Sequence, residues 1–135
     1  MRAAWYENQG AARDVLVVGE MPDPLPGPGE VRIRIAASGI NPGDVKKRQD
    51  SFGIGMPYPR VIPHSDGAGE VDQVGDGVPS EWIGRRVWCY GAQSYRPFGT
   101  AAEFVPYSVK IAGAVLLSAL LIVSMWRTRV PEEWV

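Results

Sequence analysis

With 135 residues and a formal net charge of −1, the chain has room for about one domain and lacks the positive surplus of a nucleic-acid-binding protein. Its single cysteine, Cys89, and single histidine, His64, exclude a disulfide framework, multi-cysteine zinc or iron–sulfur sites and two-histidine metal sites. Glycine (16) and proline (12) are together so frequent that short strands joined by turns are favoured over a bundle of helices.

The first two predicted strands are Ala3–Tyr6 and Val15–Val18, the second because it is rich in β-branched residues. Residues 22–29 alternate proline with other residues and end in glycine. Because proline removes a backbone donor, this segment is predicted to be an exposed extended loop. The first thirty residues contain no apolar run of the kind a signal peptide needs, so no signal peptide is expected.

The clearest strand pattern follows this loop. Val31, Ile33 and Ile35 alternate with Arg32 and Arg34, a period of two that predicts a half-buried antiparallel strand. Further strands are predicted at Gly69–Val74, Arg86–Tyr90 and Ala101–Val105, with a turn at Gly75–Gly77. Short strands at this spacing are typical of a small barrel or a sandwich.

One short helix is predicted from about Pro42 to Gln49. Asn41 is a good N-cap, Pro42 suits the first helical position, and Asp44 places negative charge in the first turn. The basic run Lys46-Lys47-Arg48 lies near the end of this helix. A phosphate contact is one interpretation of that run, and a solvated helix face is the favoured one.

Three short motifs invite chemical interpretations. Gly67-Ala68-Gly69-Glu70-Val71-Asp72 lacks the third glycine of a dinucleotide fingerprint, so a tight turn or close backbone packing is favoured. The neighbours His64-Ser65-Asp66 do not predict a hydrolase triad, because adjacent residues of an extended segment point to different sides. Cys89 is predicted to be a buried, unreactive cysteine in a strand.

Residues 1–105 resemble the N-terminal, chaperonin-10-like domain of the medium-chain dehydrogenase/reductase superfamily, in its zinc-free quinone oxidoreductase branch. The match is collinear over a hundred residues. It is carried by Met1-Arg2-Ala3-Ala4, Pro24-Leu25-Pro26-Gly27-Pro28-Gly29-Glu30-Val31, Ser38-Gly39-Ile40-Asn41-Pro42-Gly43-Asp44 with Arg48, Pro63-His64-Ser65-Asp66-Gly67-Ala68-Gly69-Glu70-Val71, Val74-Gly75, Gly84-Arg85-Arg86-Val87 and Gly99-Thr100-Ala101-Ala102-Glu103-Phe104-Val105.

The resemblance implies a mainly β fold: a small, partly open, GroES-like β-barrel with one short helix. It also implies a cytoplasmic, NADPH-dependent reductase of a small quinone, enone or carbonyl substrate, with homo-oligomers possible in the intact family. Asn41, Asp44 and, as a weaker assignment, Arg48 are implied to lie against the cofactor. Simple helix capping by Asn41 stays open as an alternative that does not exclude this role.

Zinc-dependent relatives of that family carry cysteine where Asn41 stands and histidine where Ser65 stands. Without those ligands no metal is expected. His64 replaces a usual glycine and Arg85 a usual aspartate, so substrate details do not follow from the resemblance.

Residues 1–106 are therefore expected to form the GroES-like domain. Residues 107–135 are expected to form an atypical apolar helical tail, with the family's nucleotide-binding domain absent. On this interpretation the chain is a truncated enzyme, inactive alone.

The tail contains sixteen uncharged residues, 111–126. As a helix they would extend about 24 Å, short of a hydrocarbon core of about 30 Å. Packing or disorder is therefore favoured over membrane spanning, which stays open. A non-catalytic β-barrel binding module, tethered to a membrane by this segment, is the alternative function.

Overall fold

The computed structural model of the chain describes residues 1–94 and 96–109. The described residues contain six strands and a few short helical segments. They are β1 (Arg2–Trp5), α1 (Ala12–Val15), β2 (Val17–Glu20), β3 (Glu30–Gly39), α2 (Pro42–Arg48), β4 (Asp66–Val74), a 3-10 turn (Ser80–Trp82), β5 (Arg86–Cys89) and β6 (Phe104–Ser108).

The strands form two antiparallel sheets. One sheet pairs β1 with β2, and the other has the strand order β5-β4-β3-β6. A bridge between Ala3 and Ala102 connects the first sheet to the segment that precedes β6. The mainly β prediction is thus confirmed, but within residues 1–94 and 96–109 the strands make two sheets and no closed barrel.

The core lies on one face of the larger sheet. Val31 and Ile33 of β3 are buried together with Val71 of β4 and Val105 of β6. The alternation predicted for β3 is confirmed, since Arg32 on the opposite face donates to Asp72 at 3.0 and 2.8 Å. Burial of the apolar face is what fixes the register, because a slip of one residue would turn these side chains to solvent.

Close backbone packing explains the glycines of β4. A Cβ atom on Gly69 would lie 2.0 Å from the carbonyl oxygen of Arg34. The pairing of β3 with β4 has a register shift just beyond that point, between Ile35 and Ala37. The packing interpretation of this glycine motif is therefore confirmed.

Two predicted strands are displaced. The second strand begins at Val17, because residues 12–15 form α1, a helical turn that the sequence did not reveal. The last strand is Phe104–Ser108, since residues 101 and 102 instead bond to the first sheet. It continues past the predicted boundary at residue 106, and Tyr107 is part of the core.

The predicted helix is confirmed as α2, and the proline-rich segment 22–28 forms no helix or strand. Within the described part of the chain, no helix has the length and apolar content needed to cross a bilayer. The predicted tail segment 111–126 lies outside the described residues.

Candidate functional site

The first turn of α2 organises the candidate site. Asn41 has an extended backbone (φ −111°, ψ 154°) and takes the N-cap position, followed by Pro42. Its N–H donates to Asp44 Oδ2 at 2.8 Å, and the Asp44 N–H donates to the Asn41 carbonyl at 3.0 Å. This reciprocal pairing satisfies donors that a helix start would otherwise leave free. The N-cap prediction for Asn41 is confirmed.

The side chains of this turn bind residues far along the sequence. Asn41 Nδ2 donates to Asp66 Oδ2 at 2.7 Å, and the Ser65 hydroxyl donates to Asp44 Oδ1 at 3.4 Å. Asp66 reaches Asn41 because β4 begins there, opposite Gly39 at the end of β3. We call Asn41, Asp44, Ser65 and Asp66 the Asn41 cluster. Asp44 is only 7% exposed, so its carboxylate depends on these donors.

Arg48 does not lie on a solvated helix face, so that interpretation of the basic run is wrong for this residue. Its side chain is 8% exposed and donates to the carbonyl of Gly10. Lys47 Nζ donates to Gln93 Oε1 at 2.8 Å, whereas Lys46 is exposed. The three basic side chains thus point to three environments, and Arg48 ties α2 to the loop after β1.

A cavity of about 330 Å³ opens beside α2. Its wall is mostly apolar and aromatic, but four of the lining side chains also bring an ammonium, a carboxylate, an amide and an aliphatic hydroxyl. The lining residues with functional side chains include Tyr6, Lys47, Asp50, Phe52, Ile54, Tyr58, Gln93 and Ser94. Phe52 and Ile54 are 57% and 77% exposed, so the rim offers apolar surface to a ligand.

The Tyr6 phenol, which lines this cavity, has a shifted pKa. Burial raises the pKa of Tyr6, Arg48 opposes that shift, and Asp44 adds to it. Tyr6 therefore stays protonated at neutral pH and presents a hydroxyl donor. The cavity combines aromatic surface with neutral and cationic donors, which can meet the carbonyl oxygens of a planar ligand, and with the carboxylate of Asp50.

The prediction that His64, Ser65 and Asp66 point to different sides is confirmed for His64 and is wrong for the pair Ser65 and Asp66. Ser65 and Asp66 join the Asn41 cluster, whereas His64 Nδ1 lies 2.9 Å from the Ser38 hydroxyl on another side. The backbone of His64 has φ +73°, a conformation that glycine adopts most readily. Burial lowers the pKa of His64, with Asp44 opposing the shift.

Cys89 lies buried in the core, as predicted, and burial raises the pKa of its thiol to about 11. The two positions that resemble zinc-ligand positions, Asn41 and Ser65, do meet around Asp44. They bring an amide and a hydroxyl, which are poor zinc ligands compared with thiolate and imidazole. Among the described residues, no group of three or more histidine, cysteine or acidic side chains is placed to hold a metal ion.

Sequence reasoning singled out Asn41, Asp44 and Arg48 but missed most of their surroundings. Gln93 and Tyr6 belong to the cavity, and neither carries a local signal. The aromatic residues Phe52 and Tyr58 are the exception. Large aromatic side chains in a turn-rich segment between a helix and a strand are a signal of exposed apolar surface that sequence inspection can find.

Comparison with known proteins places this geometry in context. The family model of the alcohol dehydrogenase GroES-like domain matches residues 27–115. Quinone-oxidoreductase QR1, chloroplastic, from Triphysaria versicolor is 33% identical over 111 residues, covering 76% of this chain and 33% of that protein. The synaptic vesicle membrane protein VAT-1 homolog of Rattus norvegicus is 44% identical over 64 residues, 47% of this chain and 16% of its own.

Solved structures agree with this match. A mycobacterial protein complexed with NADPH superimposes with a TM-score of 0.70 at 26% identity, over 82% of this chain and 32% of that one. The chain therefore spans a third or less of the length of these three relatives.

Proposed function

The chain belongs to the alcohol dehydrogenase GroES-like domain family, and we propose that it is the substrate-binding part of an NADPH-dependent quinone oxidoreductase-like enzyme. In this proposal the Asn41 cluster faces the nicotinamide end of the cofactor, and the cavity beside α2 takes the electron acceptor. The quinone-oxidoreductase relative and the NADPH-bound neighbour support the reaction class.

The observation that carries the proposal is the way Asn41 is held. One carboxamide N–H is used by Asp66 at 2.7 Å, and the backbone N–H is used by Asp44 at 2.8 Å. Among the described residues the second carboxamide N–H makes no hydrogen bond, and Asn41 is only partly buried. Because Asn41 is held both at its backbone and at its side chain, it loses little further freedom when it binds, so its hydrogen bonds to a ligand are more favourable.

The residues present fit one end of NADPH. A nicotinamide carboxamide offers both donors and acceptors, which Asn41 and the Ser65 hydroxyl can match. When bound, NADPH supplies a hydride to the acceptor. The chain's own residues fix the orientation of the ring: Asn41 and Asp44 at the helix start, with Arg48 locking α2 against the Gly10 carbonyl.

The cavity suits a small quinone, enone or other carbonyl compound. Phe52 and Tyr58 provide aromatic surface, and the donors of Tyr6 and Lys47 can meet a carbonyl oxygen whose negative charge grows as it accepts a hydride. Gln93 holds Lys47 Nζ at 2.8 Å and so limits where this ammonium can lie.

The 135 residues alone are proposed to hold NADPH weakly. Tight dinucleotide binding uses a glycine turn and a helix start around the pyrophosphate. The sequence contains no Gly-x-Gly-x-x-Gly motif, and the nearest glycine cluster, around Gly67 and Gly69, is committed to strand packing. Sustained turnover is therefore proposed to need a nucleotide-binding domain.

The test joins a nucleotide-binding domain of a quinone oxidoreductase relative in frame after Ser108, the end of β6, and follows NADPH oxidation with 1,4-benzoquinone. The fusion is expected to turn over, and Asn41→Ala is expected to lower kcat/KM about tenfold, or ~1.4 kcal/mol. Lys46→Ala, an exposed change on the same helix, is the matched control and is expected to keep full activity. Equal rates for Asn41→Ala and the parent fusion would contradict the proposed role of Asn41.

A further inference from the structure

The nucleophilic groups of the chain differ sharply in availability at neutral pH. The Cys89 thiol is buried, and burial raises its pKa to about 11. The N-terminal ammonium of Met1 donates to Asp23 at 2.8 Å, a bond that raises the pKa of this ammonium. The thiol and the N-terminal amine are therefore poor nucleophiles, and the imidazole of His64 is the stronger candidate.

The direction of neighbouring hydrogen bonds fixes where the proton of that imidazole lies. The Thr100 hydroxyl donates to the carbonyl of Asp66 at 2.7 Å, so its one hydrogen is used. The Ser38 hydroxyl, 2.9 Å from Thr100 Oγ1, must therefore donate to Thr100. Ser38 Oγ can then only accept from His64 Nδ1, 2.9 Å away. Neutral His64 is the Nδ1–H tautomer, and its lone pair is on Nε2.

Nε2 is accessible as well as unprotonated. It has no hydrogen-bond partner among the described residues, and His64 is only partly buried. His64, Ser38 and Thr100 line an open hollow of about 430 Å³, whose other lining residues include alanines of β1, of β3 and at 101–102, with Val18 and Ile35. The charged residues that line this hollow are Arg2 and Glu103, and the backbone N–H of Arg2 donates to Glu103 at 2.8 Å.

Burial, and not a neighbouring charge, keeps the imidazole neutral. Burial lowers the pKa of His64, while Asp44 opposes this shift. At pH 7 the group therefore stands as the free base, with its lone pair directed away from Ser38. Small alanine side chains line much of the hollow that His64 borders, which leaves room for a compact electrophile beside this side chain.

We propose that His64 is a covalent modification site for small α,β-unsaturated carbonyl compounds. The Nε2 lone pair forms a bond to the β-carbon of the enone, and the C=C π pair shifts to give an enolate. The enolate carbon takes a proton from water, and the Nδ1 proton leaves to water. The product is one enone added to one chain, with no oxidation or reduction. The proposal is independent of NADPH and so of the proposed reductase activity.

The test exposes the full chain to methyl vinyl ketone at pH 7 and maps adducts by peptide mass spectrometry. Because the chain has one histidine and one cysteine, each assignment is unambiguous. The first adduct is expected on His64. The rate of its formation is expected to rise with pH as the imidazole loses its proton, and to reach its plateau at a pH lower than an ordinary histidine with a pKa of about 6.5 would show. A first adduct on Cys89, the N-terminus or a lysine would overturn the proposal.

Two variants test the tautomer argument. Ser38→Ala removes the acceptor that holds the proton on Nδ1, so the Nε2–H tautomer becomes accessible and the rate at His64 is expected to fall about threefold. Thr100→Val frees the Ser38 hydroxyl from its partner and is expected to lower the rate in the same direction, which covers the case in which Ser38→Ala does not fold. Unchanged rates in the folded variants would overturn the assignment of the reactive nitrogen.

Discussion

The four-stranded sheet and the Asn41 cluster are held together by different forces. In the sheet, Val31, Ile33 and Val71 are buried against apolar neighbours, and the backbone pairs along nearly every residue of β3. In the cluster, Asn41 and Asp44 are held by a few polar contacts to residues more than twenty positions away. Apolar burial is non-directional and cumulative, whereas each polar contact depends on one geometry.

This difference has a practical consequence. Removing apolar area from the four-stranded sheet reduces the free energy of unfolding of the whole domain, because all four strands of this sheet contribute to one core. Removing a polar partner from the cluster changes a local geometry and costs less stability. Substitutions in the sheet and in the Asn41 cluster are expected to separate these two kinds of effect.

The largest loss of stability is expected for Ile33→Ala. This side chain is 1% exposed at the centre of β3, and truncating a buried isoleucine typically costs about 2–5 kcal/mol. Val18→Ala on β2, where the side chain is 67% exposed, is the matched control and is expected to change stability by less than about 0.5 kcal/mol. Urea denaturation measures both, and similar midpoints for the two variants would contradict the assignment of the core.

A smaller loss is expected for Asp44→Ala. The buried carboxylate accepts from the Asn41 N–H and the Ser65 hydroxyl, and hydrogen bonds to a charged group contribute about 1.5–3 kcal/mol. Asp14→Ala, an exposed change in α1, serves as the control. In nuclear magnetic resonance spectra, Asp44→Ala should also shift the side-chain amide of Asn41. A lower denaturation midpoint with an unchanged signal of the Asn41 side-chain amide would contradict the coupling of Asp44 to Asn41.

Two substitutions of His64 distinguish the cost of backbone strain from the loss of the side-chain hydrogen bond. Both His64→Gly and His64→Ala lose the bond to Ser38, but glycine alone relieves the φ of +73°. A left-handed conformation costs a residue with a Cβ roughly 1–2 kcal/mol. His64→Gly is therefore expected to be more stable than His64→Ala by about 1 kcal/mol in thermal unfolding. Equal melting temperatures would contradict the strain at this position.

The smallest expected effect is on the pH dependence of stability. Burial lowers the pKa of His64 in the folded chain. The stability that the neutral imidazole allows is therefore fully present above the pKa of the unfolded chain, about 6.5. It is lost as the pH falls from there through the folded pKa, because the unfolded chain then binds the extra proton. His64→Asn, which tolerates the same backbone conformation, should flatten the curve below pH 6.5. Parallel curves for both proteins would refute this.

Much of the sheet could be predicted because its pattern is local. The alternation of Val31, Arg32, Ile33, Arg34 and Ile35 reports one buried face without any knowledge of partners. The same holds for α2, whose N-cap and first turn are signalled within four residues. The first helical turn, residues 12–15, was missed because it is one turn long, too short to show a helical period.

The candidate site could be predicted only in part. Asn41 and Asp44 were found through the family resemblance, but their partners Ser65 and Asp66 lie on another element. Arg48 was misplaced for the same reason: its burial depends on the Gly10 carbonyl, which no pattern within α2 reveals.

The sequence by itself determined the strand-rich body, the helix after Asn41 and the family, because periodicity, capping and collinear motifs are properties of neighbouring residues. Only the tertiary structure decided which polar groups meet: Asn41 with Asp66, Arg48 with Gly10, and His64 with Ser38 and, through it, Thr100. The physical reason is that a hydrogen bond forms only when the donor and acceptor heavy atoms come to within about 3 Å or slightly more of each other. Which residues come that close is set by the pairing of β3 with β4 and the packing of α2 beside them.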